Sequence, residues 1–163
     1  MTIISDATAF ILLSKATVLE IFANRNIVVT SPIVYEEVAR GKEKGRFDSL
    51  LVEKLVNEKK IKLRDPDKSS NEKIQKLFDL RLGELDVVSL AHNTDDTILS
   101  DDKKCLNVAK TLGIPFITSL DVILVLYKKR AIKKEKAIES IDKLEEYGWY
   151  SRSLIKKYRE EIR

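Results

Sequence analysis

The sequence predicts an α/β domain: a three-layer α/β/α sandwich around a central, mostly parallel sheet, with helices added at the C-terminus. Short apolar runs of strand length alternate with longer segments of helical period. Residues 133–163 read as amphipathic helix with no further strand.

Residues 2–5 (Thr-Ile-Ile-Ser) form the first expected strand, and residues 7–23 a helix with a break near Ser14-Lys15. Ile27-Val28-Val29-Thr30 is the second strand. Ser31 suits the cap of a helix whose first residue is Pro32, where a missing N–H does no harm. Residues 46–58 read as helix, 61–63 as a short strand and 65–71 as polar loop. Two helices follow, 71–80 and 82–93, separated at Arg81-Leu82-Gly83. Then come strand 97–100, helix 102–111, the turn Gly113-Ile114-Pro115, strand 116–118 and helix 119–129. Tail helices at 133–146 and 151–162 flank Tyr147-Gly148-Trp149. Ile138, Ile141 and Leu144, then Leu154, Tyr158 and Ile162, recur near helical spacing and should pack on the sheet or on a partner. No linker divides the chain, so residues 1–163 are expected to form one domain with 133–163 as its extension.

Composition narrows the function. With 44% hydrophobic residues among 163, the chain can fill a core and is not a disordered segment. No run approaches the ~18 apolar residues of a membrane span. The opening Met1-Thr2-Ile3-Ile4-Ser5-Asp6 lacks the basic flank, apolar stretch and cleavage site of a signal peptide, so a cytoplasmic protein is expected. Cys105 is the single cysteine, which excludes an internal disulfide and a cysteine-built zinc site. A net charge of +4 permits a polyanionic partner without requiring one.

The informative residues are acids. Asp6 ends the first strand, and Asp101-Asp102 follow the strand ending at Ser100. In an open α/β sheet these strand ends surround one crevice. Asp6 also suits the N-cap of the next helix, and one of Asp101 and Asp102 suits the same role; capping and metal binding can coexist. Counting about 100° per residue from Ile33 places Glu37 near 40°, inside the apolar arc of Ile33, Val34 and Val38, with Glu36 outside it. Asp86 falls between Leu82 and Leu90 on a helix that is apolar nearly all round. A buried, unpaired carboxylate costs several kcal/mol, so Asp86 needs a cation or a wet crevice. Glu84 stands near that helix's start, where the macrodipole favours it, and is also a possible ligand. The hydroxyls of Ser100, Thr118 and Ser119 can orient a carboxylate or cap the helix from Leu120. Acids gathered in one crevice repel one another unless a divalent cation neutralises them.

Four stretches in order resemble the PIN domain family of metal-dependent ribonucleases: "IISDATAFILL", "SPIVYEEVARG", "LGELDVVSLA" and "ILSDDKKCLNVAKTLGIP". The Gly-Glu-x-acid pattern and the Ser-Asp-Asp stretch are similar to a VapC-like prokaryotic branch, and the tail "LEEYGWYSRSLIKKYREEI" is similar to its closing helices. The resemblance implies a PIN-like fold and an acidic quartet of Asp6, Glu37, Asp86 and Asp102, with Glu84 and Asp101 as neighbours. It implies Mg²⁺ or Mn²⁺ as cofactor and single-stranded RNA as substrate. Homodimerisation and an antitoxin partner are further implications, since many members are toxins of toxin–antitoxin pairs. Where the branch has Thr-Leu-Gly this chain has Ser119-Leu120-Asp121, which brings an extra acid near the site.

Oxygen-only ligands suit Mg²⁺ or Mn²⁺ better than zinc. Asp6 and Asp102 are expected to contribute most to the principal ion, with Glu37 and Asp86 completing the shell or a second site. His92 points away from Asp86 and reads as structural or surface, and Cys105 as core. Lys128-Lys129-Arg130, with Lys133, Lys134 and Lys136, form a basic stretch beside Tyr127 that could track RNA phosphates. Lys156, Lys157 and Arg159 form another. Interspersed glutamates allow an ordinary solvated helix face instead. Two other classes compete. One is a phospho-receiver domain, which needs an acid pair after the first strand where Asp6 stands alone. The other is an inactive PIN-like module that binds RNA or a partner.

Overall fold

A computed structural model describes residues 2–41 and 46–163. Its sheet contains β1 (Thr2–Ser5), β2 (Ile27–Thr30), β3 (Ile61–Leu63), β4 (Thr97–Leu99) and β5 (Phe116–Ile117) in the order β3-β2-β1-β4-β5. Every neighbouring pair is parallel, with Ile4 of β1 opposite both Val29 and Ile98. The chain steps outward from β1 to β3, then returns to the other side of β1 for β4 and β5. That reversal opens a crevice between the carboxyl ends of β1 and β4, the place where open α/β sheets bind ligands.

The helices follow as α1 (Ala7–Lys15), α2 (Leu19–Arg25), α3 (Pro32–Ala39), α4 (Phe47–Asn57), α5 (Lys68–Leu77), α6 (Leu82–Ala91), α7 (Lys103–Leu112), α8 (Ser119–Lys128), α9 (Lys134–Tyr147) and α10 (Arg152–Glu161). The architecture is the expected sandwich, and most boundaries have plain causes. Ser31 accepts from the Val34 N–H at 3.1 Å and caps α3. Gly113 ends α7 at φ 69°, in the left-handed region that glycine enters without steric cost. The expected break in the first helix falls slightly later, where Thr17 has φ 60°.

Two expectations need correction. Residues 68–71 are not loop: Asp67 accepts from the Ser70 N–H at 3.0 Å and starts α5 three residues earlier than periodicity suggests. Its first four residues, Lys68, Ser69, Ser70 and Asn71, are all polar, so no apolar residue marks the start. The tail packs on α1 and α8 rather than on the sheet. Ser140 Oγ donates to the Ala16 carbonyl at 3.0 Å, and Ile155 rather than Leu154 is the buried side chain of α10.

Ile3, Ile4, Phe10, Leu13, Ile98, Leu99, Leu120 and Ile123 form the fully buried centre. Each contributes roughly 1.5–3 kcal/mol of apolar transfer, which holds the crevice walls in place. Cys105 is buried with them, and burial pushes its thiol up to about 12. Among the described residues no single helix is long and apolar enough to cross a membrane.

Candidate active site

The crevice is built around Ser100. Asp6 follows β1 directly, and its N–H donates to the Leu99 carbonyl at 3.2 Å, so strand pairing carries through to the acid. One Asp6 oxygen accepts from the Ala9 N–H at 2.9 Å and caps α1, while the other accepts from the Ser100 hydroxyl. Ser100 Oγ in turn accepts from the Asp102 N–H at 3.0 Å. Asp102 caps α7 through the Cys105 N–H at 2.8 Å. One hydroxyl thus links the Asp6 carboxylate after β1 to the backbone N–H of Asp102 after β4. Asp6 is 3% exposed, and burial pushes its carboxyl up to about 7 despite the Ser100 and Ala9 bonds; Asp101 and Asp102 push it further the same way.

Asp101 faces the other side. It accepts from the Ser119 N–H at 3.0 Å, from the Ser119 hydroxyl and from the Tyr150 hydroxyl. Burial raises its carboxyl above the usual range, and those donors oppose the rise. Ser119 therefore orients a carboxylate, while Thr118 takes the N-cap of α8. Asp121 is not loose in the crevice. It accepts from the Thr118 N–H at 2.8 Å, closing that cap, and from the Tyr158 hydroxyl of α10.

A second group of acids lies on α3 and α6. Asp86 is 3% exposed and accepts from Asn71 Nδ2 at 3.0 Å; Asn71 Oδ1 accepts from the Ser89 hydroxyl at 3.4 Å. Asp86 also lines a cleft of about 400 Å³ with Ile33, Lys68, Asn71, Gln75 and Leu82. Of the two remedies expected for it, the structure supplies the crevice together with an amide partner. Asn71 was not found by sequence reasoning because it lay in the presumed loop; the Asp67 cap four residues earlier was the available signal.

Glu37 departs from its expected burial. Val34 and Val38 are buried but Ile33 is 36% exposed, so the inward direction of α3 lies further round and Glu37 sits at its exposed edge. Its carboxyl still reaches α6: a Cβ built on Gly83 would lie 2.6 Å from Glu37 Oε1. Partial burial there raises the carboxyl, Arg40 lowers it, and Glu84 and Asp86 raise it again. Glu84 accepts from the Arg81 N–H at 3.2 Å at the start of α6, and burial with repulsion from Asp102 raises it too.

The two groups thus feel each other's charge across the crevice. Among the described residues, however, no three His, Cys, Asp or Glu side chains stand close enough together to hold one ion as placed. The donor set fits a hard divalent cation nonetheless. Every candidate ligand is a carboxylate oxygen, and the bare Gly83 surface leaves room for Glu37 to approach the others.

The basic stretch lies elsewhere. α8 begins beside Asp101 and carries Lys128 at its far end, so Lys128, Lys129 and Arg130 are not brought to the acids. Of the second stretch, Arg159 is bound to Asp142 at 2.7 Å and Glu145 at 3.2 Å, and Lys156 lies 4.0 Å from Glu160.

Comparison with known proteins identifies the family. The endoribonuclease Nob1 of Pyrococcus abyssi (strain GE5 / Orsay) is 30% identical over 112 residues, 64% of this chain and 61% of that protein. The chain thus aligns with less than two thirds of that relative's length. The sequence profile described as PIN domain matches residues 2–162, nearly every residue from β1 to the end of the tail, and on that match the chain belongs to the PIN domain family.

Proposed function

We propose that the protein is a Mg²⁺- or Mn²⁺-dependent endoribonuclease that cuts single-stranded RNA at the crevice between β1 and β4. The observation that carries this reading is the meeting at Ser100, at the sheet's switch point, of the Asp6 carboxylate and the Asp102 backbone N–H, in a PIN domain chain similar to an endoribonuclease. Asp6 and Asp102 would hold the ion, with Glu37, Glu84, Asp86 and Asp101 around it; it would supply activation of water and charge neutralisation at the scissile phosphate. Ser100 and Ser119 hold carboxylates in position. The cleft beside Asp86 offers exposed Ile33 and Leu82 to a flanking base and Lys68 to a phosphate.

The test is cleavage of a fluorophore-quencher RNA by the purified full chain. Single-stranded RNA should be cut with Mn²⁺ or Mg²⁺ and left intact in EDTA. Equal turnover in EDTA would overturn the metal dependence, and no cleavage with either metal would return the chain to the inactive RNA- or partner-binding class.

Gly83→Ala probes the second acidic group. Alanine is the better helix former by up to about 1 kcal/mol, so the melting temperature should hold or rise slightly. The new Cβ must push the Glu37 carboxyl off α6, and cleavage should fall at least about tenfold, since small misplacements in a catalytic site are costly. Unchanged turnover would remove Glu37 from the site.

A further inference from the structure

At the far end of α8 the chain reverses through Arg130, which has φ 57°. The Arg130 N–H bonds the Tyr127 carbonyl at 2.9 Å and the Ala131 N–H bonds the Leu126 carbonyl at 2.8 Å, fixing the turn. The reversal folds the end of α8 against the start of α9 and leaves a concavity of about 490 Å³. Lys128, Arg130, Lys133 and Lys134 line it as exposed side chains, over a floor that includes buried Ile132. Glu135 is the acid in that lining, and Glu161 lies 3.6 Å from Lys128. Lys133, the N-cap residue of α9, makes no side-chain capping bond, so the helix start adds its own partial positive charge to the four cations, offset in part by Glu135 in its first turn. Such a lining is complementary to a polyanion, and nothing in the crevice chemistry uses it.

We propose that this concavity is a second RNA-contact site that grips the backbone away from the cleavage crevice and so selects long substrates. The inference rests on the ribonuclease reading and adds to it a substrate-length requirement. The ten residues of α8 separate the concavity from Asp101 by about 15 Å along the helix. A stacked strand advances ~3.4 Å per phosphate, so at least roughly four nucleotides lie between the two points, and more along a curved surface. Short oligonucleotides can occupy the crevice alone, whereas longer ones gain the second grip without new contacts at the scissile bond.

The experiment uses single-stranded RNAs of 4–20 nucleotides with the cut site near one end, and the full chain with Lys133→Glu/Lys134→Glu or, as a milder pair, Lys128→Gln/Arg130→Gln. For the unsubstituted chain, kcat/KM should climb once the RNA exceeds about eight nucleotides. In the charge-reversed protein the long-to-short ratio of kcat/KM should fall about tenfold, with the salt dependence of long-RNA binding made shallower. Equal losses on short and long RNA in both variants, or no length dependence in the unsubstituted chain, would overturn the second site. Fluorescence anisotropy of labelled 20-nucleotide RNA in EDTA reads the same site without turnover. Should no RNA be cut, the ribonuclease reading fails, while weakened anisotropy in the variants would still support the grip. Unweakened anisotropy would sink it.

Discussion

Asp6→Asn should abolish RNA cleavage and at the same time stabilise the metal-free protein above pH 7. Both effects come from one buried carboxyl. Burial pushes Asp6 from the usual 3.8 to about 7, so the folded chain keeps a proton that the unfolded chain releases. Its contribution to stability is therefore fully present below pH ~4 and is lost as pH rises through about 7. Above that, the displacement is worth up to roughly 4 kcal/mol against the folded state. Asparagine keeps the N-cap bond to Ala9 and carries no charge to desolvate. Its buried amide has its own cost, so a net gain of about 1–3 kcal/mol is expected at pH 8 in EDTA. That corresponds to roughly 2–10 °C in Tm for a chain of this size, with little difference at pH 4. Cleavage should fall by about 10²–10³-fold or more, the usual result of removing one electrostatic group from a catalytic site. Thermal melts across pH, paired with the quenched-RNA assay, check both. A variant that is no more stable at pH 8 would show that Asp6 carries no such cost, and one that still cuts would show that Asp6 is not catalytic.

Much of the fold was legible because its signals are local. Short runs rich in β-branched residues such as Ile27-Val28-Val29-Thr30 read as strands, and caps such as Ser31 before Pro32 announce their helices. The strand-end acids were legible for the same reason: in a parallel sheet every strand's carboxyl end faces one edge, so Asp6 and Asp102 could be placed together without knowing the register. What sequence could not provide was the direction of side chains set by neighbouring elements. Glu37 reads as inward on α3 alone, and only the approach of α6 at Gly83 shows where its carboxyl goes. Asn71 lies in the polar first turn of α5, where no apolar residue marks the helix, yet it is the partner of Asp86. The basic run at Lys128 reads in sequence as a track for RNA phosphates, but α8, which begins beside Asp101, carries it to the opposite end of that helix.

The contacts of the tail with the crevice lead to the second large effect, expected from Tyr150→Phe and contrasted with Tyr158→Phe. Both hydroxyls donate to carboxylates at the start of α8, Tyr150 to Asp101 and Tyr158 to Asp121. Burial raises both phenols well above their ordinary value, so they stay protonated and remain donors across the neutral range. Phenylalanine keeps the ring and its packing and removes only the donor. Each substitution should therefore cost about 1–3 kcal/mol, the price of leaving a partly buried acceptor short of a partner. Their effects on turnover should differ. Asp121 closes the cap of α8 and is not among the proposed ion ligands, so Tyr158→Phe should lower Tm with kcat nearly unchanged. Asp101 is the residue before Asp102, and its orientation is shared between Ser119 and Tyr150. Losing the tyrosine bond should free the loop after β4, misplace Asp102 and lower kcat about 10–100-fold while KM for RNA holds. A merely structural tail would move Tm alike in both variants and leave kcat alone in each. A kcat loss confined to Tyr150→Phe would instead make the C-terminal extension part of what positions the acids, with β1, β4 and the tail all converging on one crevice.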